Sequence, residues 1–240
     1  MARSFVCIYH FLVWGWYIFI NFYLPILISK QQLPKEIQYG GQWRYLTVLN
    51  LFLQVIFYGI AFLYDVMKGM KRKEDIKWIA ASRDFLFSAL AFPLSLVVFT
   101  IFWVLFLLDR ELIYPKILDE VFPKWFNHAM HSSVLPISMT EVFINYHQYP
   151  SRKKGLIFLS SVTIAYISWV LKIYSVTKEW VYPIFAKLSP VSLAVFFSVS
   201  HGTAICFYFL GERLNQLIWV HKEFIVVFLI HFGDMGVLAC

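Results

Sequence analysis

The chain has 240 residues, 60% of them hydrophobic and 20% aromatic, with only 15% charged and a mean hydropathy of +0.66. A soluble domain of this length carries about a quarter charged residues, so a water-soluble enzyme or binding module is excluded. The formal net charge of +7 does not point to nucleic acid. The basic residues lie in short segments beside apolar stretches, as the positive-inside rule expects, and no basic helix or aromatic platform for bases stands out.

In chain order, the first apolar stretch is Phe5–Ser29, behind a lone Arg3. It is too long for a signal-peptide core and lacks a small-residue cleavage site, so it reads as an uncleaved signal-anchor. The second span, Leu46–Met67, opens on QWRYLTVLN with Arg44, Thr47 and Asn50, and the third is Phe85–Leu108. Asp65, Arg83 and Asp84 lie at span ends and are expected to reach water. The fourth span, Phe126–Tyr146, opens on KWFNHAMHSSVLP and carries Glu141 deeper in. The fifth, Leu156–Val176, holds Lys172 near one end, where it can snorkel to the interface. The sixth, Pro190–Leu210, has His201 at mid-span. Each matches the ~30 Å hydrocarbon core in length.

After Lys222 the chain is apolar but too short and interrupted for a seventh span. The segment 223–240 is expected to be an interfacial tail or an alternative transcript ending. The sequence therefore predicts an all-α polytopic membrane protein with about six transmembrane helices, in which 1–222 form a single membrane domain. Loop charges, chiefly Lys68, Lys71, Arg72, Lys73, Lys77 and Arg83, followed by Arg152, Lys153 and Lys154, favour both termini on the cytoplasmic side. Cys7, Cys206 and Cys240 form neither a disulfide framework nor a zinc motif, and no N-x-[ST] sequon occurs.

Ionisable and polar groups inside a bilayer are costly and mark function. Two clusters open even-numbered spans: Arg44, Thr47 and Asn50 on the second; Lys124, Asn127, His128, His131, Ser132 and Ser133 on the fourth. Even-numbered spans run in the same direction, so both clusters lie on one face of the membrane at similar depth. A neutral imidazole within hydrogen-bond reach of a Thr hydroxyl can remove its proton as a carbonyl is attacked and return it to the leaving alcohol. Asn50 or Asn127 could help hold the oxyanion. No carboxylate is obviously placed to orient the imidazole, so the candidate is a dyad. The bland alternative is that Thr47 bonds its own i−4 carbonyl while both histidines face water. His128 and His131 at i, i+3 could also hold a metal, but with seven His in all and no further His-rich cluster, no metal or cofactor is expected. Neither Gly-x-Ser-x-Gly nor His-Glu-x-x-His occurs. Ser-x-x-Lys occurs at Ser151–Lys154 and Ser175–Lys178, at span edges among basic residues.

GGQWRYLTVLN, DRELIYPK, FNHAMHSSVLP, EWVYP and GERLN, in this order and spacing, resemble the androgen-induced membrane protein family over about residues 1–222. The resemblance implies a six-helix integral membrane hydrolase acting on fatty-acid esters of hydroxy fatty acids (FAHFAs). The family's threonine falls on Thr47 and its histidine on His131. It also implies a plasma-membrane setting, caveolae included, and a link to tissue factor pathway inhibitor in endothelial cells. For such a lipid, Arg44 or Lys124 could hold the carboxylate while Thr47 meets the ester. Two other classes compete: a non-enzymatic regulator acting through helix or lipid contacts, and a transporter, for which Glu141 is the main support.

Overall fold

The computed structural model describes the backbone of residues 2–29, 39–70 and 76–237, and the side chains of 4–29, 39–70 and 76–219. Within hydrocarbon no water is available to backbone N–H and C=O groups, so a chain this apolar must close its own hydrogen bonds as helices. The described elements are all helical. They are α1 (Ala2–Ser29), a 3-10 turn (Gly41–Arg44), α2 (Leu46–Gly69) and α3 (Ile76–Leu86). A π-helical turn (Phe87–Ala91) joins α3 to α4 (Phe92–Asp109), followed by α5 (Lys124–His131) and α6 (Val134–Ile144). The chain ends with α7 (Arg152–Thr177), the short α8 (Pro183–Lys187) and α9 (Pro190–Val237).

Five of these segments are long and apolar enough to cross a membrane: α1, α2, the continuous α3–α4, α7 and α9. The protein is thus an all-α polytopic membrane protein. The remaining expected span, Phe126–Tyr146, is not one helix. It is α5 and α6, broken at Ser132–Ser133. Pro136 explains the break, because it has no N–H for the Ser132 carbonyl and its ring crowds that carbonyl. Pro93 acts similarly upstream, where the ladder widens until Phe92 N–H bonds the Phe87 carbonyl. The sixth expected span does not stop at Leu210: α9 runs unbroken to Val237. The side chains of the tail 223–240, like those of Lys71, Arg72 and Lys73 used in the orientation argument, lie outside the described residues, as does Cys240. Cys7 and Cys206 are free.

Helix α1 packs along α2 through Tyr17, Ile20 and Tyr58, all fully buried. Close approach between the last helices depends on small residues. A Cβ at Gly155 of α7 would overlap the Tyr208 ring of α9, and one at Gly211 would meet the Phe92 ring at 2.7 Å. Outward-facing Phe5, Phe22, Leu107 and Val191 are exposed, an apolar exterior suited to acyl chains.

One end of the bundle is tied by an ionic network. Glu141 of α6, with no exposed surface, accepts from His10 of α1 at 3.0 Å and from His147 at 3.1 Å. The other nitrogen of His10 lies 2.7 Å from Asp65 of α2, and that of His147 lies 3.0 Å from Asp84 of α3. Arg83 also grips Asp84, at 2.7 Å. Each imidazole has a carboxylate oxygen on both nitrogens, an arrangement that the doubly protonated ring satisfies. The network then balances His10, His147 and Arg83 against Asp65, Asp84 and Glu141. The expectation that Arg83 and Asp84 reach water is corrected, because both are buried; Asp65 keeps 13% of its side chain exposed, and all three are paired. Glu141 is likewise held in this network, which removes the main support for a transporter.

Removing one charge from a buried ionic network leaves its partners uncompensated, at about 3–5 kcal/mol. Glu141→Gln is therefore expected to lower the thermal midpoint of the detergent-solubilised protein markedly. A midpoint equal to wild type would show that the network contributes nothing to stability.

Candidate active site

The approach to α2 is set by two glycines with positive φ, Gly40 at 79° and Gly41 at 50°, where a Cβ would be strained. They turn the chain into the 3-10 turn Gly41–Arg44, after which Tyr45 is extended and α2 begins. Thr47 is the second residue of α2. Hydroxyls inside long helices usually fold back on the carbonyl four residues earlier. Ser161, Thr163, Thr177, Ser198 and Thr203 all do so. Thr47 does not, because the backbone before it is not helical. Its Oγ1 instead lies 3.2 Å from Nε2 of His131.

His131 closes α5 and is buried. Its Nδ1 lies 2.7 Å from Oδ1 of Asn127 and 3.1 Å from the Asn127 carbonyl, one turn earlier on the same helix. Both partners are acceptors, so Nδ1 carries the proton and Nε2 presents its lone pair to Thr47. The ring also stacks on Phe102, with centroids 3.5 Å apart and planes 7° from parallel. Orientation and tautomer are thereby fixed without a carboxylate. The arrangement can accept a proton from Thr47 and hand it on.

Thr47 and His131 form part of the wall of a cavity of about 500 Å³ between α1, α2, α4, α5, α7 and α9, a size that accommodates a small-molecule or lipid ligand. Its wall is mostly aliphatic and aromatic, with Leu24, Val97, Leu105 and Phe197 typical. Two tyrosine hydroxyls, of Tyr166 and Tyr182, accept from Leu46 N–H, each at 3.0 Å. Tyr166 donates to the Arg44 carbonyl at 3.2 Å, which leaves the Tyr182 proton for Tyr166, also 3.2 Å away, or for a ligand. Burial pushes the Tyr182 hydroxyl up to about 12, so it remains a donor at neutral pH.

The other predicted residues are placed differently. Asn127 backs the imidazole instead of facing the cavity, because its Oδ1 is committed to Nδ1 of His131. Asn50 is buried with its Oδ1 accepting from Gln54 at 3.2 Å, and it borders an adjoining cavity lined by Trp43, Leu53 and Trp169. A three-residue step leaves a residual rotation of about 60°, enough to turn Asn50 away from Thr47. Arg44 is buried outside the cavity wall, beside the Tyr45 ring. Lys124 and His128 are exposed on α5. His128 stacks on Trp103 and bonds Ser132 at 2.9 Å. Arg44, Lys124, Asn50 and His128 are therefore not assembled around the Thr47 hydroxyl. Sequence reasoning missed Tyr166 and Tyr182. Tyr182 falls in the EWVYP segment, but nothing in its spacing relates it to Thr47.

A family model described as FAR-17a/AIG1-like protein matches residues 5–216. The human androgen-dependent TFPI-regulating protein is 51% identical over 219 residues, which is 91% of this chain and 95% of that protein. The human androgen-induced gene 1 protein is 37% identical, covering 82% of this chain and 87% of its own length. A membrane protein of Schizosaccharomyces pombe is 26% identical, with 68% of this chain and 70% of that protein covered. No solved structure matches.

The tautomer lock is directly observable. In protein labelled with ¹⁵N-histidine, the His131 ring is expected to resonate as a single Nδ1–H tautomer, and Asn127→Leu to shift it toward a mixture. An unchanged spectrum in Asn127→Leu would mean that Asn127 does not set the tautomer.

Proposed function

The chain belongs to the FAR-17a/AIG1-like family, and from that premise we propose that it is an integral membrane hydrolase cleaving the ester bond of fatty-acid esters of hydroxy fatty acids. The observation that carries this reading is the contact of Thr47 Oγ1 with a His131 Nε2 whose tautomer is set by Asn127, in the wall of an apolar cavity. In the proposed reaction, Thr47 Oγ1 attacks the ester carbonyl carbon while His131 Nε2 takes the hydroxyl proton. Negative charge gathers on the former carbonyl oxygen. The Tyr182 hydroxyl, which bonds Leu46 N–H beside Thr47, and the positive end of α2 are suited to stabilise it. As the intermediate collapses, the C–O bond to the hydroxy acid breaks and the imidazolium returns its proton to the leaving oxygen. Water then attacks the acyl-threonine with His131 again as base, releasing the fatty acid.

The substrate class fits the wall chemistry. An acyl chain needs apolar contacts along its length and polar groups only at the ester. In this reading the membrane domain spans residues 1–222, and the protein sits in the plasma membrane with both termini cytoplasmic, facing its lipid substrate and other membrane lipids. One relative's name describes regulation of tissue factor pathway inhibitor, and we extend a functional link with that inhibitor to this chain.

Purified protein in liposomes, supplied with a fatty-acid ester of a hydroxy fatty acid, tests the mechanism. Thr47→Ala and His131→Ala should each lower kcat by about 10²-fold or more, and Thr47→Ala should abolish labelling by a fluorophosphonate. Turnover that survives both substitutions in folded protein would favour a non-enzymatic regulator acting through helix or lipid contacts. Tyr182→Phe should reduce kcat by about 10²-fold with little change in KM. A rise in KM alone would assign Tyr182 to ground-state binding.

A further inference from the structure

Among the described residues, no Arg, Lys, Asp or Glu side chain lines the cavity that holds Thr47 and His131. His201 and Ser200 of α9 with Thr163 of α7 form one polar patch of its wall. The Thr163 hydroxyl donates to the Leu159 carbonyl at 3.0 Å, so at its 2.8 Å contact with His201 Nδ1 it accepts. This assigns the His201 proton to Nδ1 and leaves a lone pair on Nε2. The only described neighbour of Nε2 is the Ser160 hydroxyl, at a long 3.4 Å. Ser200 donates to the Phe196 carbonyl at 2.8 Å, so its oxygen too is left as an acceptor. The one described donor facing it is the Ser160 hydroxyl, stretched to 3.4 Å from Nε2, so towards a ligand the patch offers acceptors. A ligand group that brings its own proton can replace that stretched bond.

A carboxylic acid meets that demand best. Its O–H can bond Nε2, and transfer of the proton gives an imidazolium–carboxylate pair with no net charge added to the apolar site. A fixed Arg or Lys in an empty apolar cavity would be a permanent desolvated charge. A histidine can instead take its proton from the ligand. The location is suitable as well. Thr163 precedes Tyr166 by three residues, roughly 4.5 Å along α7, and the Tyr166 hydroxyl touches Leu46 beside Thr47.

We propose that His201, backed by Thr163, is the recognition site for a free carboxyl group on the lipid ester, in the same cavity as Thr47. This rests on the hydrolase reading and assigns to His201 the task that the sequence suggested for Arg44 or Lys124. It makes His201 a specificity residue, one that distinguishes an ester bearing a free acid from the same ester capped as a methyl ester.

The test compares kcat/KM for a free-acid substrate and its methyl ester in wild type, His201→Leu, His201→Gln and Thr163→Val. The acid-to-methyl-ester ratio should fall about tenfold or more in His201→Leu, the loss of a hydrogen bond to a charged group. His201→Gln, which cannot take up the proton, and Thr163→Val, which removes only the Nδ1 partner, should lower it less. A ratio unchanged in all three variants would overturn the proposal. A second arm is independent of turnover. Thr47→Ala protein, with and without His201→Leu, is titrated with a fluorescent long-chain fatty acid and with its methyl ester. Loss of preference for the acid on His201→Leu supports the carboxyl site even if wild type hydrolyses neither ester, an outcome that would sink only the hydrolase reading. Equal affinities for acid and methyl ester in Thr47→Ala would sink the carboxyl site alone.

Discussion

Glu141 lies between two imidazoles at the centre of the membrane protein's most polar region, and the arrangement of its helices depends on that bridge. Through His10 it reaches α1 and Asp65 of α2; through His147 it reaches Asp84 and Arg83 at the end of α3. Asn215 of α9 adds a bond to the His147 carbonyl at 2.8 Å. Buried ions are tolerated where charge is balanced and each donor finds an acceptor. Here both conditions are met by residues far apart in sequence. Helix α6 is fixed at this end, and the helix break at Ser132–Ser133 then lets α5 take a separate direction. His131, at the end of α5, can approach Thr47 while α6 stays locked.

The two ends of the bundle thus use histidine in opposite ways. At the ionic end each ring nitrogen faces a carboxylate, so both nitrogens are engaged. At the cavity end Asn127 and Thr163 each take one ring nitrogen and leave the other as a lone pair. A neutral amide or hydroxyl supplies orientation without drawing the ring into a permanent ion pair. The absence of acidic and basic side chains from the cavity wall fits the same arrangement, since a fixed charge nearby would bias both rings.

Much of this was legible from residue order alone. Spans of matching direction bring Thr47 and His131 to one face, and the helical pattern gives the all-α architecture. The same parity also places His10, Asp65, Asp84, Glu141 and His147 at a common end, at the start of the first and third spans and the end of the second and fourth. For Asp65 and Asp84, nearness to span ends suggested water as the partner, and only packing reveals that these residues find each other instead. The break at Pro136 was harder to read, because membrane helices tolerate proline when neighbours satisfy the freed carbonyl. Tyr182 sits in a connection whose path has no periodicity to follow. Arg44 and Asn50 share a nominal face with Thr47, yet the offset over three residues and the non-helical backbone before Leu46 turn them elsewhere.

Thr47 stands in the first turn of its helix, where no helical carbonyl waits four residues behind it. One turn further along, the same hydroxyl would be captured by the backbone, as Thr163 and Thr203 are. A threonine hydroxyl in a hydrocarbon-embedded bundle thus escapes its own backbone most readily at the threshold where a helix begins. Inserting or deleting a single residue between Gly40 and Leu46 would change which side chain occupies that threshold. Tolerance to length variation should therefore differ sharply along this stretch of chain, with the short run into α2 far less permissive than an equal number of lipid-facing positions in the helix itself.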